Sequence, residues 1–347
     1  MAPLVANSSA VHPQQLCLPP CLHRWRFSLP SPRCANSIEP FLPGVADSLG
    51  NSTERSKGKG RVFFLDVNPL CFDGSQPSLS SFARWVDLFF SRVSLRDPVI
   101  AVLDGEEGNE YRKRLLPSYK AHRSKYRRQS RIFGNARRDF LSTTEPQIVD
   151  VLLKCNVPAI KVHGYEADDV IATLTDQVLQ KGLRVVIGSP DKDFKQLISE
   201  EVQIVMPLPD IGRWSFYTIK HYIDQYKCDP GCFMGDEVDG VPGIQHLAPG
   251  FGRNTAIKLL KKHGSLEDLL SAAAVRTVGK HYAQDALIKH ADYLRTNYKV
   301  LSLRRDANIQ IEDDWLSERS TYNDSVALSD FLRKLGERHE GQKLYKR

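Results

Sequence analysis

The chain of 347 residues has room for one large domain or two modest ones, and its 41% hydrophobic residues can fill a core. It contains no run of about 18 apolar residues, which argues against a membrane-spanning helix. Seven cysteines, an odd and scattered set, do not match the framework of a disulfide-rich secreted domain. Cys228 and Cys232 have no second Cys or His pair nearby, so the sequence favours thiols in a reducing compartment over a zinc site.

The net charge of +7 is unevenly distributed along the chain. Residues 110–138 contain eleven Lys or Arg and a single acid, and therefore carry +10. Residues 1–60 carry +3, which leaves −6 for the rest of the chain. One strongly basic segment in an otherwise acidic protein indicates that a polyanion binds at one place and a cation, such as a metal ion, at another.

Residues 1–60 differ in composition from the rest of the chain. No acid precedes Glu39, Ser and Pro are frequent, and the apolar centre of a secretory signal is missing. An acid-poor start that contains arginines is typical of an organellar transit peptide, and a disordered tail without a targeting function is the alternative. We therefore expect residues 1–60 to be a transit peptide or a disordered segment, and the protein to reside in the chloroplast, the mitochondrion or both.

From Arg61 onward, short apolar runs alternate with helical patterns. The runs are continuous, as expected for strands of a parallel sheet that is buried on both faces. Gly182 suits the end of one of the helices. Strands that alternate with helices indicate an α/β fold with a central parallel sheet flanked by helices. The predicted strands are 61–66, 98–104, 158–162 and 184–190, and the predicted helices are 79–93, 146–155 and 168–181.

Carboxylates follow the predicted strands. Asp66 and Asp104 are each the first polar residue after an apolar run, and Asp191 closely follows a third run. Because ligands bind outside the carboxyl ends of the strands in open α/β sheets, we expect these acids to meet at one edge of the sheet. The candidate metal ligands are Asp66, Asp104, Glu166, Asp168, Asp169, Asp191, Asp193, Asp236 and Asp239.

If most of these acids converge, they cannot all be ionised without cations, because like charges raise one another's pKa. Oxygen donors without His or Cys suit Mg²⁺, or Mn²⁺ as the alternative, rather than zinc. Two such ions about 4 Å apart can hold the attacking water and the leaving oxygen of a phosphodiester. With the basic segment, the pattern predicts a metal-dependent nuclease. Taken singly, 166–169 has a plainer interpretation as an acidic first helical turn, 191–193 as a cap, and 236–239 as a solvated loop.

Four motifs, in the same order along the chain, resemble those of the 5′-nuclease family. This family comprises flap endonucleases, phage 5′-exonucleases and the N-terminal 5′–3′ exonuclease domain of bacterial DNA polymerase I. The resemblance covers about residues 61–303, and the N-terminal extension makes the chain most similar to plant organellar 5′–3′ exonucleases. The motifs are Tyr111-Arg112 with Leu116–Arg123, Gly164–Val170, Ser189–Leu197 and Gly235–Gly243.

The resemblance implies a PIN-like nuclease fold with a helical arch and a C-terminal helix-hairpin DNA-binding subdomain. It places Lys120 beside the scissile phosphate as a point charge on the transition state, and Arg112 in a position that helps to hold this phosphate. It also implies how the acids are shared between two Mg²⁺ ions. The first ion would be surrounded by Asp66, Asp104, Glu166 and Asp168. The second would be bound, partly through water, by Asp191, Asp193, Asp236 and Asp239. Asp169 would bridge to the ligands without binding an ion directly.

The arch, at about residues 109–140, would bind a threaded single strand by charge and base stacking, with a solvated basic helix or a disordered loop as the alternative. The helix hairpin would bind duplex DNA through backbone amides and is a K⁺ site in many family members. Residues 245–252 depart from the family pattern by about four extra residues, and Gly240 replaces the usual Asn. The predicted nucleic-acid contacts are Tyr111 and Tyr119, with core packing as the alternative for both, and Arg123, Lys125, Arg127, Arg128, Gly243, Gly250, Gly252, Lys258, Lys261 and Lys262.

We therefore expect a catalytic domain at 61–227, a DNA-binding subdomain at 228–303, and a segment at 304–347 that is either a tail helix or a partner-binding segment. The expected function is that of a monomeric, Mg²⁺-dependent 5′–3′ exonuclease and flap endonuclease. It would act on DNA 5′ ends, flaps and RNA primers in organellar replication and repair, without a membrane partner. The alternatives are a nucleic-acid-binding protein of the same fold without catalysis, which the retained acids disfavour, and a nuclease that acts mainly on RNA.

Overall fold

The computed structural model describes residues 60–74, 76–117, 119, 133–227 and 247–344 of the chain. Its strands are β1 (Arg61–Asp66), β2 (Phe72–Asp73), β3 (Gln76–Pro77), β4 (Val99–Leu103), β5 (Ala159–Lys161), β6 (Arg184–Gly188), β7 (Val202–Leu208) and β8 (Arg213–Tyr217). Six of them form a sheet with the order β5-β4-β1-β6-β7-β8, in which only the edge strand β8 is antiparallel to its neighbour. β2 and β3 form a separate antiparallel ribbon.

Helices cover both faces of the sheet and form a separate bundle after it. They are α1 (Val67–Leu70), α2 (Leu79–Phe89), α3 (Glu110–Leu115), α4 (Phe133–Lys154), α5 (Ala167–Gln180), α6 (Ile219–Tyr226), α7 (Arg253–His263), α8 (Leu266–Val275), α9 (His281–Lys289), α10 (Ala291–Leu301) and α11 (Asp324–Leu344). In the described parts of the chain, no helix is long and apolar enough to cross a membrane.

Alternate residues of each central strand point into two different hydrophobic cores. In β1, Phe63 and Leu65 pack with α2, α4 and α11, whereas Val62 and Phe64 pack with α5 and α6. Because both faces of the sheet are covered, each central strand needs apolar side chains in every position. This explains the continuous apolar runs in the sequence and confirms the expected α/β fold with helices on both sides of the sheet.

Most predicted elements are present with small shifts of their ends. The four predicted strands are β1, β4, β5 and β6, and the predicted helix 168–181 is α5, after which Gly182 adopts a positive φ of 75°. The helix predicted at 146–155 is longer, because α4 begins at Phe133 and contains Pro146. Pro146 is exposed, where the backbone hydrogen bond that its ring eliminates costs least.

The helices α7 to α10 have a hydrophobic core of their own. Helix α8 is capped by Ser265, whose hydroxyl accepts a hydrogen bond from the backbone N–H of Asp268 at 3.1 Å. The described part of the unusually long turn before α7 is fixed by Phe251, which is fully buried in this core.

The C-terminal segment, which the sequence left open between a tail helix and a partner-binding segment, packs on both faces of the sheet. Ala307 lies in the core formed with α5 and α6. Helix α11 adds Ala327, Leu328 and Phe331 to the core on the opposite face, where the rings of Phe331 and Phe82 meet edge to face. Residues 304–335 are therefore part of the same folded unit as the sheet.

Candidate active site

Asp66 ends the central strand β1 and lies at the carboxyl edge of the sheet. Its backbone is paired with Val102 of β4 on one side, and Leu65 pairs with Gly188 of β6 on the other. Asp66 is buried, and its carboxylate accepts a hydrogen bond of 2.7 Å from the hydroxyl of Ser189. The same hydroxyl accepts a hydrogen bond of 3.0 Å from the backbone N–H of Asp191. Ser189 thus links the acids that follow β1 and β6.

Asp104 directly follows β4 and is held from two sides. Its carboxylate accepts hydrogen bonds from the side-chain amide of Asn68 at 2.7 Å and from the backbone N–H of Ala167 at 2.9 Å. The next residue, Gly105, lies so close to the neighbouring loop that an added Cβ would be 1.8 Å from the carbonyl oxygen of Val162. Glycine here lets the loops after β4 and β5 touch, which brings Asp104 to the start of α5.

The first turn of α5 carries three of the predicted acids. Glu166 is the N-cap residue, and Asp168 and Asp169 lie in the first turn, where the positive end of the helix dipole favours carboxylates. Glu166 and Asp169 are buried, and Asp168 retains partial exposure of its side chain. These residues therefore form the acidic first turn of the plainer interpretation, and this turn is also compatible with a metal site.

Arg112, on α3, reaches this turn and is itself buried, with 2% of its side chain exposed. Its guanidinium donates to both carboxylate oxygens of Asp169, at 2.7 and 2.8 Å, and to Glu166 at 2.7 Å. Burial opposes the charged form, but the hydrogen bond to Asp169 and the charges of Asp168, Asp169 and Glu166 raise the pKa of Arg112 above its usual value. Arg112 therefore stays charged and neutralises part of this acidic cluster.

The structure gives Arg112 protein partners on all sides. Besides the carboxylates, it donates to the carbonyl oxygens of Val300 at 2.9 Å and Ser302 at 3.3 Å. In the structure, the guanidinium of Arg112 is hydrogen-bonded to protein groups. Its predicted contact with a phosphate therefore stays a prediction. The partners were missed in the sequence because they lie 54 to 190 positions away along the chain.

Asp191 and Asp193 lie beyond the end of β6. Asp191 is the N-cap residue of the short 3₁₀ helix Lys192–Leu197, and its carboxylate accepts a hydrogen bond of 3.0 Å from the backbone N–H of Asp193. The plainer interpretation of Asp191 as a cap therefore holds, while Ser189 ties this cap to Asp66. Ser189 begins one of the four motifs, but the sequence alone does not indicate this role. Its signal in the sequence is a polar residue between an apolar strand and the acids.

The two predicted tyrosine contacts lie beside Arg112. The hydroxyl of Tyr119 donates to Glu166 at 3.0 Å, and its ring lies 6.0 Å from the Arg112 guanidinium. Tyr111 is partly buried and stacks on Arg304 at 4.5 Å. Each tyrosine ring therefore packs against neighbouring side chains and also lies close to the candidate site. The predicted site residues that lie outside the described ranges are Lys120, Arg123, Lys125, Arg127, Arg128, Asp236, Asp239 and Gly243.

The described acids offer oxygen ligands of the kind that Mg²⁺ or Mn²⁺ prefers, as carboxylates at the ends of adjacent strands. Within the described ranges, no three His, Cys, Asp or Glu side chains lie close enough together to form a complete metal site. Two of the predicted ligands, Asp236 and Asp239, lie outside those ranges. The chemistry of the donors therefore fits a hard divalent cation, and the full ligand set stays a prediction.

The predicted duplex contacts lie on and before α7. Lys258, Lys261 and Lys262 are exposed, and Gly252 is the N-cap residue of the helix. Gly250 has a positive φ of 89°, and its carbonyl oxygen accepts a hydrogen bond of 3.2 Å from the Thr255 hydroxyl. The exposed lysines on one helix provide a cationic surface that suits a phosphate backbone.

Comparison with solved structures defines the class of fold. The D15 protein of bacteriophage T5, crystallised with metal ions, matches with a TM-score of 0.58 and 18% sequence identity, over 79% of this chain and 98% of that chain. A T5 D15 flap endonuclease in a pseudo-enzyme–product complex with DNA and metal ions matches with a TM-score of 0.56 at 18% identity, over the same shares of the two chains. The chain therefore has the fold of these phage nucleases.

Sequence comparison defines the family. The model of the N-terminal resolvase-like domain of 5′-3′ exonucleases matches residues 73–227, and the model of their C-terminal SAM fold matches residues 225–324. A 5′-3′ exonuclease of Aquifex aeolicus is 30% identical over 259 residues, which are 72% of this chain and 80% of that protein. The chain belongs to the 5′–3′ exonuclease family and is a nuclease of that class.

DNA polymerase I of Bacillus caldotenax is also similar, at 31% identity over 180 residues. This match covers 50% of this chain but 20% of the polymerase. The similarity therefore concerns a fifth of that larger protein.

Proposed function

We propose that the protein is a divalent-metal-dependent 5′–3′ exonuclease and 5′-flap endonuclease that hydrolyses phosphodiester bonds of DNA and of RNA primers. The observation that carries this proposal is that hydrogen bonds link strand-end acids along one edge of the sheet. Ser189 joins Asp66 to the residues after β6, and Asp104 is hydrogen-bonded to the start of α5. Helix α3, which begins the predicted arch, is bonded through Arg112 to Glu166 and Asp169 at the start of α5.

Two Mg²⁺ ions, or Mn²⁺ in their place, fit this donor set. When bound, such ions supply an activated water and neutralise the charge that develops on the phosphate. In the chain itself, Ser189 and Asn68 orient Asp66 and Asp104 by hydrogen bonds. Arg112 and Tyr119 fix Glu166. The ions would be held by Asp66, Asp104, Glu166, Asp168, Asp191, Asp193, Asp236 and Asp239, with Asp169 behind them.

The substrate proposed is DNA with a 5′ end or flap beside a duplex. The basic segment 110–138 supports binding of the single strand, and the exposed lysines of α7 support binding of the duplex without reading its sequence. The T5 relative was solved in a complex with DNA and metal ions. A K⁺ ion at the hairpin around residues 243–252 and a monomeric state complete the proposal.

The cellular setting proposed is organellar replication and repair, in the manner of plant organellar 5′–3′ exonucleases. The support is the composition of residues 1–60, with arginines but no acid before Glu39. A fusion of residues 1–60 to a fluorescent protein tests this directly. Accumulation in chloroplasts or mitochondria is the expected result, and a diffuse cytosolic signal would contradict it.

The decisive experiment is a cleavage assay of the full-length chain on a DNA duplex with a 5′ flap, in Mg²⁺ and in EDTA. We expect cuts near the flap junction in Mg²⁺ and none in EDTA. Tight binding without cutting in Mg²⁺ or Mn²⁺ would overturn the catalytic proposal in favour of a binding protein. A matched RNA flap in parallel separates the substrates, since faster cleavage of RNA would contradict the assignment of DNA.

A further inference from the structure

The chain returns from the helices α7–α10 to the sheet through residues 300–306, which we call the return segment. This segment comprises the end of α10 and the residues directly after it. It is bonded to three separate parts of the candidate active site. The helices that carry the predicted duplex contacts are thus attached to the acids by more than a peptide linker.

The backbone of the return segment bonds to Arg112 and Asp169. The carbonyl oxygens of Val300 and Ser302 accept hydrogen bonds from Arg112 at 2.9 and 3.3 Å. The backbone N–H of Arg304 donates to Asp169 at 2.8 Å. Arg112 and Asp169 are both buried, so the loss of one of these hydrogen bonds would leave a buried polar group unsatisfied and would destabilise the fold.

A second attachment is made by Gln196, in the 3₁₀ helix that begins after Asp191. Its amide donates to the carbonyl oxygen of Leu301 at 3.0 Å and accepts from the backbone N–H of Leu303 at 3.1 Å. The side chain of Gln196 therefore bonds to a backbone acceptor and to a backbone donor of the return segment. This fixes the segment relative to the acids that follow β6.

The third attachment is the side chain of Arg304, which lies between two tyrosine rings. Its guanidinium is 4.5 Å from the ring centre of Tyr111 and 4.1 Å from that of Tyr165. It also makes two hydrogen bonds of 3.1 Å to Asp306, whose carbonyl oxygen accepts from the Tyr165 hydroxyl at 2.9 Å. Tyr111 precedes Arg112 and Tyr165 precedes Glu166, so Arg304 contacts the immediate neighbours of two site residues.

We infer that the return segment couples the helices α7–α10 to the nuclease site, and that Arg304 and Gln196 are positioning residues for the cleavage reaction. This inference rests on the proposed function. Arg304 holds the start of α3 and the start of α5 at a fixed separation, and Gln196 holds the 3₁₀ helix with Asp191 and Asp193. Neither residue lies on α7 with the exposed lysines, so their loss changes the rate of cleavage rather than the affinity for duplex.

The test uses the full-length chain with Arg304→Ala, Arg304→Lys and Gln196→Glu. Gln196→Glu removes the amide donor to Leu301 but keeps the size of the side chain. We measure the single-turnover cleavage rate in Mg²⁺ and the Kd for the same flap duplex in EDTA. We expect Arg304→Ala and Gln196→Glu to cleave at least about tenfold more slowly with Kd unchanged within about twofold, since small displacements of reacting groups cost this much.

Arg304→Lys keeps the charge but lacks the planar group that stacks between rings, so its rate should fall between those of the wild type and Arg304→Ala. Arg305→Ala is the matched control, because Arg305 is the neighbouring residue and pairs with Asp176 at 2.7 Å on an exposed surface. We expect it to cleave like the wild type. An unchanged rate in Arg304→Ala and Gln196→Glu, or a loss of affinity that accounts for the whole effect, would overturn the inference.

A second measurement is independent of cleavage. Hydrogen exchange at the backbone amides of residues 165–170 is followed with and without duplex DNA in EDTA. We expect DNA to slow this exchange in the wild type and to have a smaller effect in Arg304→Ala. Equal protection in both proteins would overturn the coupling. A wild type that binds duplex without cleaving would overturn the proposed function alone, so the two failures are distinguishable.

Discussion

Two buried arginines lie at opposite ends of the sheet and have opposite electrostatic surroundings. Arg112 lies at the carboxyl end, where it pairs with Glu166 and Asp169 and has Asp168 at 4.0 Å. Arg319 lies at the amino end, before β4 and β5, and pairs with Asp324 at 2.7 Å. It also donates to the carbonyl oxygens of Cys155 and Leu95, and Phe90 covers it at 4.2 Å.

The difference lies in the balance of charge. At the amino end, one arginine meets one carboxylate, and its terminal nitrogens also donate to the neutral carbonyls of Cys155 and Leu95. At the carboxyl end, Arg112 meets more carboxylates than it can neutralise, and two further acids are nearby in the fold, because Asp66 ends β1 and Asp104 directly follows the neighbouring strand β4. Such an excess of acids is costly to the folded state unless cations complete it. The excess of acids at the carboxyl end supports the proposed active site there, whereas the balanced charge at the amino end suits a structural role.

The largest effect is expected from Asp168→Asn compared with Asp324→Asn. Loss of one acid at the carboxyl end should reduce cleavage of a flap duplex by about 10³-fold or more, because a metal contributes several kcal/mol to the transition state. DNA binding should be largely retained. Asp324→Asn should keep the cleavage rate, since Asp324 pairs with Arg319 at the other end.

The readouts are the single-turnover cleavage rate and the Kd in EDTA, both measured well below the unfolding temperature. Full activity in Asp168→Asn would contradict the assignment of this residue to a metal. An equal loss in Asp324→Asn would remove the functional contrast between the two ends.

The next effect is on stability, in Arg112→Met compared with Arg319→Met. Removal of Arg112 leaves Glu166 and Asp169 buried without their cation, which should cost about 3–5 kcal/mol in the free energy of unfolding. Removal of Arg319 should cost less, about 1–3 kcal/mol, because Asp324 is partly exposed and the other partners are carbonyls. Urea unfolding of the two variants measures both values, and equal losses would show that the acid excess carries no energetic weight.

A smaller effect is expected from Mg²⁺ itself. An ion that binds the folded state stabilises it by about 2.7 kcal/mol at a concentration of 100 Kd. Thermal unfolding of the wild type and of Asp324→Asn should shift upward equally on addition of Mg²⁺, and that of Asp168→Asn should shift less. An equal rise of the unfolding temperature in all three proteins would show that the stabilising Mg²⁺ ion does not bind at Asp168.

The smallest effect concerns two thiols, one near each end. Burial and then the charge of Asp66 raise the pKa of Cys71 to about 12. Burial and then the charge of Asp324 raise the pKa of Cys155 to about 12. Both thiols should therefore stay protonated at pH 8.5 and resist iodoacetamide in the native protein, but react in urea. Peptide mapping by mass spectrometry measures this, and native labelling of either residue would show that its surroundings open readily.

The sequence predicted the centre of the sheet well because burial on both faces leaves a strong local signal. β1, β4, β5 and β6 are short apolar runs, and the predicted ends differ by at most two residues from those observed. Two further strands of the sheet, β7 and the antiparallel edge strand β8, were missed. The apolar run of β7 is interrupted by Gln203 and its last three residues are half-buried, and the residues of β8 are mostly exposed or half-buried. The length of α4 was underestimated because Pro146 resembles a helix start in the sequence.

The placement of Asp66, Asp104 and Asp191 along one edge of the sheet could be predicted because each ends or closely follows a strand, and parallel strands end at a common edge. Their supporting contacts could not be predicted in this way. The partners that the structure gives Arg112 come from α5 and from the return segment, far away along the chain, and its contact with a phosphate stays a prediction. The same holds for α11, whose packing on α2 and α4 depends on the folded sheet and not on a local pattern.

The packing of α11 also has a consequence for how the protein is made. The core around α2 and α4 is completed by Phe331 and its neighbours, and Arg319 donates to the carbonyl oxygen of Cys155 from 164 positions further along the chain. Contacts this distant in sequence form late and slow the search for the native state. A nascent chain on the ribosome cannot close this core until residues 319–335 have emerged. Synthesis that stops earlier leaves apolar surface exposed, which favours aggregation and degradation over a partly active nuclease.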